Sequence, residues 1–427
     1  MKIQDLIATP IAISDPPLRN ASGLHAPYAL RIIVELKTDN GISGVSEVPG
    51  DTETEKILNF ISDGLVGQDP HQLNSLFLNV QSRFSGTLDF DGSKQLDYRY
   101  FPRVWSAVEV ACLDIIGKDT GRPICDLLGG RLRDRVPFAA YLFYKEEGAG
   151  GEYGFGIDPG ASGWDAARQT AALDPQGIVA EAAAMRDKFG FRSLKLKGGV
   201  FPPHEEAAAI IAMRDAFGPE VPLRLDPNAV WSMEASLSVA QELEGILEYL
   251  EDPIRGQENM ARLRKKIGIP LATNMCTTSF ADLPASIAVG SEDIILSDHH
   301  FWGGLRACAD LFRICEVFGR GVSMHSNSHV GVSLAAMIHL GSVIPNLQYD
   351  LDTHYPWQTE EVIIQGQFSF QDGYVDVPKG PGLGVEIDRV ALEKLHTKYL
   401  ECGLAHRDDQ TEMQKIEPGW QFKPVRW

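Results

Sequence analysis

The sequence of 427 residues lacks the features that mark several classes of protein. Its six cysteines include no Cys-x-x-Cys pair and are few for the length, which indicates reduced thiols rather than a disulfide framework. No run of about 18 apolar residues occurs, and the first residues contain no basic region followed by an apolar stretch. We therefore expect no membrane segment and no secretory signal, and we predict a cytoplasmic protein.

Positive charge is also scarce. The chain has 39 Lys and Arg against 58 Asp and Glu, a formal net charge of −19, and it contains no long run of basic residues. Binding along nucleic-acid phosphates or an anionic membrane needs such a run. With 44% hydrophobic and 23% charged residues the chain has the composition of a globular protein with a large core. We expect a small-molecule ligand, with no nucleic acid and no membrane as partner.

The middle of the sequence alternates short β-rich runs with amphipathic helical stretches, a pattern typical of parallel βα units. Eight strands are predicted, at 136–144, 193–197, 222–226, 248–251, 270–274, 293–297, 322–325 and 348–352. Eight strands that recur at the spacing of one βα unit favour a (β/α)8 barrel. An open doubly wound sheet is the alternative, but no Gly-x-Gly-x-x-Gly turn opens the first helix.

The flanking residues predict a second domain. Residues 1–130 combine strand-like segments, a hairpin centred on Asn40 and Gly41 and a helical segment, which indicates an α+β capping domain. Residues 376–427 are too few to fold alone, and we expect them to pack on that domain. Residues 131–375 would then form the catalytic barrel. Two loops, 18–29 and the glycine-rich 148–163, are either connectors or lids over the barrel.

Chemically active side chains end consecutive predicted strands. In a barrel the carboxyl ends of the strands meet at one mouth, where catalytic residues collect. Each such residue alone also fits a turn, an exposed edge or a core position, but their regular spacing of 23 to 31 residues predicts one site. These residues are Lys195 and Lys197, Asp226, Glu251, Asn274, Asp298 and His325.

Three of these side chains suit a hard divalent cation. Asp226, Glu251 and Asn274 offer oxygen atoms from adjacent strands, and Mg²⁺ prefers such ligands while keeping positions for water or substrate. Two carboxylates and one amide balance the charge of the ion. We expect such a site to accept a substrate with two carboxylates better than three acidic ligands would.

Two bases would flank that cation, namely Lys197, and His325 oriented by Asp298. This arrangement fits removal of a proton next to a carboxylate, because the cation and the ammonium of Lys195 stabilise the enediolate that forms. Lys197 must be neutral to act as a base, and the neighbouring positive charges are expected to lower its pKa.

Strings over nearly the whole chain resemble the glucarate dehydratase family, within the mandelate racemase subgroup of the enolase superfamily. They include NASGLHAPY, SLKLKGGV, LRLDPNAVW, LEYLEDP, ATNMC, MHSNSHVGVSLA and PGLGVEID. The resemblance implies a modified (β/α)8 barrel beneath an N-terminal α+β capping domain, a bound Mg²⁺ and a homo-oligomer. It also implies dehydration of an acid sugar, with D-glucarate as the first candidate and 5-dehydro-4-deoxy-D-glucarate as its product.

The resemblance also implies roles for individual residues. Lys197 would act on one face of the α-carbon, and His325 with Asp298 would act on the other face and protonate the departing β-hydroxyl. Lys195 would contact the substrate carboxylate. Further residues are implied as substrate contacts, His25, Tyr141, Ser326 and Arg407, or as partners that support the site, Asn228 and Asn327.

The chain departs from the family pattern at a few positions. Tyr100 and Phe101 stand where a threonine pair is usual, and Ser297 and His299 stand where alanine and proline are usual. The residues that follow the YLF string also differ from the family pattern, and so do the residues that follow Asn327. We expect these changes to cluster around the substrate pocket, so they bear on the substrate rather than on the type of reaction.

Several functions stay open from the sequence. A racemase or epimerase of a hydroxy acid needs only the two bases, and another hexarate could replace glucarate as the substrate of a dehydratase. A catalytically weak paralogue that binds a sugar acid is a further alternative. A muconate-lactonising enzyme is disfavoured, because it would need a lysine on the sixth strand, where the chain has SDHH.

Overall fold

The computed structural model of the protein describes residues 1–84 and 100–427. The first part contains a three-stranded antiparallel sheet with the order β1-β4-β5, a short β2-β3 pair and helices that cover the sheet. These elements are β1 (Ile3–Ser14), β2 (Arg19–Asn20), β3 (Gly23–Leu24), β4 (Tyr28–Thr38), β5 (Ser43–Pro49), α1 (Thr52–Leu65), α2 (Leu73–Ser82), α3 (Phe101–Thr120) and α4 (Ile124–Leu127).

The predicted hairpin connects β4 to β5. Lys37 pairs with Ser43 at its end, and Thr38 Oγ1 donates to Asn40 Oδ1 at 2.6 Å. Gly41 has a φ of 85°, which glycine adopts without strain and other residues rarely do. The local sequence therefore fixes this turn, and with it the register of the sheet.

Eight parallel strands follow in the middle of the chain. Their hydrogen-bonded order is β12-β11-β10-β9-β8-β7-β6-β13, and Ser323 Oγ of β12 donates to Asp350 O beside β13 at 3.0 Å, so the barrel is nearly closed. The (β/α)8 fold is confirmed. The strands are β6 (Arg135–Phe143), β7 (Leu194–Lys197), β8 (Leu223–Asp226), β9 (Leu247–Glu251), β10 (Leu271–Thr273), β11 (Ile294–Ser297), β12 (Gly321–Met324) and β13 (Leu351–Thr353).

Helices connect these strands across the outside of the barrel. Several begin at residues whose side chains satisfy free backbone N–H groups, as Asp174 does for Gly177 and Ser232 for Ala235. The helices are α5 (Trp164–Gln169), α6 (Pro175–Phe189), α7 (Pro203–Phe217), α8 (Met233–Glu242), α9 (Gln257–Arg264), α10 (Leu283–Val289), α11 (His299–Trp302), α12 (Leu305–Val317) and α13 (Gly331–Val343). In the parts of the chain described here, no helix has both the length and the apolar character to span a membrane.

The last part of the chain returns to the capping sheet. It contains β14 (Tyr374–Asp376), which pairs antiparallel with β6, and the helices α14 (Arg389–Cys402) and α15 (Asp409–Gln414). On α14, His396 Nδ1 lies 2.7 Å from Pro10 O of β1 and Arg389 pairs with Glu35 of β4 at 2.5 Å. These contacts agree with the expected packing, while domain boundaries at residues 130 and 376 stay a prediction.

The capping part and the barrel share one continuous apolar core. A buried carboxylate joins them as well, since Glu109 of α3 accepts from Leu305 N (2.6 Å) and Arg306 N (3.3 Å) at the start of α12. Burial raises the pKa of Glu109 to about 7, although the two N–H donors oppose the shift. Helix α3 thus caps a barrel helix, and this contact fixes the capping part over the barrel mouth.

Candidate active site

Strand β7 carries a buried ammonium group among carboxylates. Lys195 Nζ lies 2.5 Å from Asp352 Oδ2, 2.6 Å from Glu251 Oε2 and 3.8 Å from Asp226 Oδ2. Burial by itself would lower the pKa of Lys195, but the carboxylates, Asp352 first, raise it well above its ordinary value. Lys195 is therefore a permanent positive charge at the floor of the barrel mouth.

The second lysine of β7 contacts the end of the neighbouring strand β8. Lys197 Nζ lies 2.7 Å from Asp226 Oδ2, and Asp226 Oδ1 accepts from Asn228 N (3.0 Å) and Asn228 Nδ2 (3.2 Å). The ring of Tyr141 lies 4.8 Å from Lys195 Nζ and 5.8 Å from Lys197 Nζ, in cation–π contact with both. The sequence pattern thus correctly predicts that the two ammonium groups lie on one face of the strand.

The charges around Lys197 set its pKa. Burial and the charge of Lys195 lower it, but the carboxylate of Asp226 outweighs them and raises the pKa above its ordinary value. The expected lowering of the Lys197 pKa included the charge of Mg²⁺ at Asp226, which would offset this carboxylate, so the lowering stays a prediction.

The residues predicted to bind a metal ion end neighbouring strands. Asp226 and Glu251 both lie within 3.8 Å of Lys195 Nζ, and Asn274 follows the next strand, β10. Glu251 Oε1 and Asn274 Oδ1 are buried and have no hydrogen-bond partner among the residues that the structure describes. Buried acceptors without a donor are rare because they are costly, and a small cation satisfies them without the room that a donor group needs. Together with Asp226 on the strand between β7 and β9, they form an oxygen donor set that fits Mg²⁺.

The backbone that carries Asn274 is held by a second buried carboxylate. Asp252 accepts from Asn274 N (2.8 Å), Met275 N (3.0 Å) and Thr273 Oγ1 (2.5 Å). Asp252 has a φ of 39° and Asn228 a φ of 55°, a left-handed conformation that is uncommon outside glycine. Strain of this kind persists where the surroundings impose it, and here it accompanies both loops that flank the oxygen donors.

A histidine and a carboxylate form the second reactive pair. His325 Nδ1 lies 3.0 Å from Asp298 Oδ2, while Asp298 Oδ1 lies 2.8 Å from His300 Nδ1. Burial would raise the pKa of Asp298, but the charge of His300 and hydrogen bonds from both imidazoles hold it well below its ordinary value. Asp298 is therefore a carboxylate, and by accepting from Nδ1 it orients His325 with Nε2 free to exchange a proton.

The capping sheet supports this pair through residues that the sequence analysis missed. Asn327 Nδ2 donates to Asp298 Oδ2 at 3.3 Å, and Arg31 NH1 of β4 donates to Asn327 Oδ1 at 2.9 Å. Arg31 is buried and pairs with Glu47 of β5 at 2.7 Å. A charged residue inside the apolar run LRIIVEL was a signal for this contact, because such a charge is buried only when it is paired.

A cavity of about 780 Å³ lies at the barrel mouth, and five of the predicted site residues are not among those that line it: Lys195, Asp226, Glu251, Asn274 and Asp298. Both Lys197 and His325 line it, so the structure brings the two predicted bases together. All six predicted contact and supporting residues line it as well: His25, Tyr141, Ser326, Arg407, Asn228 and Asn327. The loop 18–29 forms part of its wall.

On one side of the cavity, three distant segments form a charged network. His25 Nδ1 lies 2.9 Å from Asp15 Oδ2, and Arg407 NH2 lies 2.8 Å from His25 Nε2. Asp409 contacts Arg407 with both carboxylate oxygens (2.7 and 2.6 Å) and accepts from Asn20 Nδ2 at 2.8 Å. The network fixes the orientation of His25 and presents a guanidinium group to the cavity.

The unusual positions of the sequence lie only partly at the cavity. Tyr100 lines it next to Arg103, whose guanidinium lies 5.5 Å from the Tyr100 ring. Ser297 and His299 are buried but are not among the residues that line the cavity, so their expected place at the pocket is wrong. They end β11 and begin α11, behind the Asp298 side chain.

The glycine-rich segment 148–163 contributes no described residue to this cavity. It lines a separate cavity of about 580 Å³ together with Arg168 and Glu360. Its backbone bonds to neighbouring loops, for example from Gly151 N to Pro27 O at 2.7 Å. Its role as a lid stays a prediction.

Two further residues of the site were missed. Asp352 ends the predicted eighth strand as Asp226 ends the third, so the same pattern could have identified it. His354 lines the cavity with its ring 6.0 Å from His25, and burial lowers its pKa well below the ordinary value. It is therefore a neutral imidazole at the cavity wall.

Two family models and a relative of similar length match the chain. Residues 13–129 match the family model of the mandelate racemase / muconate lactonizing enzyme N-terminal domain, and residues 177–391 match that of the enolase C-terminal domain-like family. The chain is 45% identical over 430 residues to a probable glucarate dehydratase of Streptomyces coelicolor, an alignment that covers 98% of this chain and 97% of the relative.

Solved structures agree with this similarity over the whole chain. An enolase from Mycobacterium smegmatis complexed with tartrate has a TM-score of 0.90 and 48% identity, covering 100% of this chain and 98% of that one. An enolase from Thermobispora bispora complexed with magnesium and formate has a TM-score of 0.91 and 45% identity, covering 100% of both chains.

Proposed function

Because the chain belongs to the mandelate racemase subgroup of the enolase superfamily and is a hydro-lyase, we propose that it dehydrates an acid sugar with two carboxylates. D-Glucarate is the first candidate, and its product would be 5-dehydro-4-deoxy-D-glucarate. The observation that carries the proposal is the presence of a lysine and a His–Asp pair on one cavity, beside buried oxygen atoms that lack donors. The probable glucarate dehydratase at 45% identity supports the choice of substrate.

We propose Mg²⁺ as the cofactor, held by Asp226, Glu251 and Asn274. When bound, Mg²⁺ supplies positive charge that stabilises the negative charge developing on the substrate carboxylate as the α-proton leaves. The related enolase complexed with magnesium and formate supports this assignment. Lys195, charged in its ring of carboxylates, would add a second stabilising charge at the same carboxylate.

The two bases would divide the proton transfers. Lys197 Nζ would serve one face of the α-carbon, and His325 Nε2 would serve the other face. Once the α-proton has left, the C–O bond to the β-hydroxyl would break, and His325 would donate a proton so that the hydroxyl leaves as water. The resulting enol then gains a proton at the β-carbon and becomes the keto acid. Asp298 would hold His325 in one tautomer throughout.

Recognition of the second carboxylate would come from the network on the loop side of the cavity. Arg407 presents a guanidinium there, beside His25, in a protein whose net charge is −19. The Nε and NH2 groups of Arg407 already donate to Asp409, so its NH1 would donate to the second carboxylate of a diacid. The M. smegmatis relative complexed with tartrate, a hydroxylated diacid, supports this proposal. Tyr141, Ser326, Asn228 and Asn327 would contact hydroxyl groups or support the bases.

Epimerisation is the second candidate function, and the two bases on one cavity favour it. An epimerase needs the same proton transfers without loss of a hydroxyl group. Cytoplasmic location and assembly into a homo-oligomer remain predictions from the sequence.

The test is incubation with Mg²⁺ and D-glucarate in D₂O, followed by proton NMR and repeated with other hexarates. A deoxy-keto acid would establish dehydration and identify the substrate. Deuterium at the α-carbon of a substrate that loses no water would favour the epimerase. If no hexarate reacts or exchanges while Mg²⁺ still binds, the dehydratase proposal is wrong for hexarates. That result would favour a changed substrate class or a sugar-acid-binding paralogue.

A further inference from the structure

The last residues of the sequence, 415–427, lie against the loops that follow β7 and β8, and we call them the strap. Arg426 N donates to Val230 O at 2.8 Å, and Ser232 N donates to Trp427 O at 2.6 Å. These bonds tie the strap to the loop that follows β8. That loop begins directly after Asp226 and contains Asn228, so the strap is anchored beside the reactive groups.

The side chain of Arg426 joins two more loops. Its NH1 donates to Gly199 O at 3.0 Å and its NH2 donates to Ala21 O at 2.9 Å. Gly199 follows Lys197 by two residues, and Ala21 lies in the loop 18–29, which also carries His25. The planar guanidinium has donors in fixed directions and can hold two carbonyl groups at once, which an ammonium group does less well.

The loops that Arg426 joins touch one another closely. Gly199 has a φ of 74°, and a Cβ atom there would lie only 2.9 Å from Ala21 Cβ and 2.5 Å from Pro227 O. On the barrel side, Glu206 accepts from Gly199 N at 3.0 Å and from Val200 N at 2.7 Å. The barrel side of this contact is therefore fixed. Arg426 joins the loop 18–29 to it, in addition to the bonds from Arg19 N to Tyr144 O and from Asn20 Nδ2 to Asp409.

The guanidinium of Arg426 is itself held within the strap. It lies 4.9 Å from the ring of Trp420, in cation–π contact. Half-buried between carbonyl groups and this ring, it makes no ion pair among the residues that the structure describes. Its donors serve backbone carbonyls of two separate loops, as expected for a clamp.

We propose that Arg426 is a positioning residue that clamps the loop 18–29 over the substrate cavity. Because that loop carries His25, and His25 contacts Arg407, the clamp would set the position of the groups that bind the far carboxylate. Its loss would weaken binding of the substrate and of the transition state equally, so KM rises while kcat stays. This kinetic expectation rests on the proposed function, whereas the structural expectation for the loop does not.

The experiment compares Arg426→Gln and Arg426→Lys with Lys423→Gln. Lys423 is an exposed cation of the same strap, and it forms no hydrogen bond within the described parts of the chain, so it controls for loss of charge. Amide hydrogen exchange is measured across residues 18–29, together with kcat and KM for D-glucarate. We expect both Arg426 variants to exchange about tenfold faster in that loop and to show a KM raised about tenfold, with kcat changed less than about twofold.

The outcomes separate this proposal from the proposed function. Unchanged exchange in residues 18–29 of Arg426→Gln would overturn the clamp, whatever the activity. Faster exchange throughout the chain, or a lower kcat with unchanged KM, would also overturn it, since the residue would then have a general structural or a chemical role. If the unmodified protein turns over no hexarate, the function fails, but the exchange comparison still decides the clamp. If Arg426→Gln does not fold, Arg426→Lys carries the test, because it keeps the charge and loses the bridge.

Discussion

At the residue scale, two bases line one cavity, so proton transfer on each face of the substrate can be tested by removing one base at a time. Lys197 and His325 line the same cavity, but Lys197 ends β7 and His325 directly follows β12. Lys197 contacts Asp226, whereas His325 contacts Asp298. Removing one base should therefore leave the other in place.

We expect Lys197→Ala and His325→Asn to lose proton exchange with opposite α-epimers. Each should also lower dehydration by about 10² to 10⁴, the usual worth of a positioned acid or base. Proton NMR in D₂O, on two hexarates that differ only at the reacting carbon, measures both quantities. Loss of the same epimer in both variants would contradict the assignment of two independent bases.

Asn274 offers a second test at this scale. We expect Asn274→Asp to raise KM for a diacid about tenfold, because an added unit charge a few ångströms from an anion costs at least about 1 kcal/mol. Steady-state kinetics with the diacid and with the matching sugar monoacid measures the effect. The monoacid, which lacks the second carboxylate, should be affected less, and an unchanged KM for the diacid would refute the proposed role of the amide.

The site could be predicted from the sequence wherever a functional side chain ends a predicted strand. Asp226, Glu251 and Asn274 were found in this way, and Asp352 obeys the same pattern. The contacts of Arg31 and Glu47 could not be located, because they depend on how the capping sheet docks on the barrel. The contact between Lys197 Nζ and Asp226 could not be located for a related reason, since a strand pattern does not contain a distance of 2.7 Å.

At the element scale, the strands were easier to predict than their connections. Each predicted barrel strand overlaps an observed one, because these strands are short runs rich in leucine and other apolar residues between helical segments. The short α11 (His299–Trp302) and the β2-β3 pair were not predicted. Both are stabilised by tertiary contacts, and not by local periodicity alone. His300 Nε2 lies 3.0 Å from Glu47 O of the capping sheet, and Asn20 Nδ2 of β2 donates to Asp409 Oδ2 at 2.8 Å.

The contact between α3 and α12 gives an element-scale prediction about stability. The pKa of Glu109 is about 7 in the folded protein against an ordinary value of 4.5, chiefly because the side chain is buried. The folded state then binds more protons than the unfolded state between these values, so the free energy of unfolding falls as pH rises from about 4.5 to 7. This group alone accounts for at most about 3 kcal/mol.

We expect Glu109→Gln to remove this part of the pH dependence, since the amide stays neutral. Denaturant unfolding at several pH values measures the slope, with Glu393→Gln, an exposed residue of α14, as the control. If the free energy of unfolding changes with pH by the same slope in both variants, Glu109 is not the group that causes the pH dependence.

At the scale of the whole molecule, ion binding and folding should be linked. A ligand that binds only the folded state stabilises it, by about 2.7 kcal/mol when its concentration is 100 times Kd. We therefore expect Mg²⁺ to raise Tm and EDTA to reverse the change. Asn274→Leu removes one oxygen ligand without altering the buried charges, and it should reduce the rise in Tm. A rise equal to that of the unmodified protein would place the ion elsewhere.

The support of His325 by the capping sheet has a consequence for how such proteins diverge. Asp298 is fixed through Asn327 and Arg31, so part of the reaction centre is encoded before residue 50 and part after residue 290. Recombination between relatives near residue 130 would exchange Arg31 and Glu47 without their barrel partners. Where the other parent lacks this pair, the hybrid would lose the contact from Arg31 to Asn327 that helps to hold Asp298 and, through it, His325.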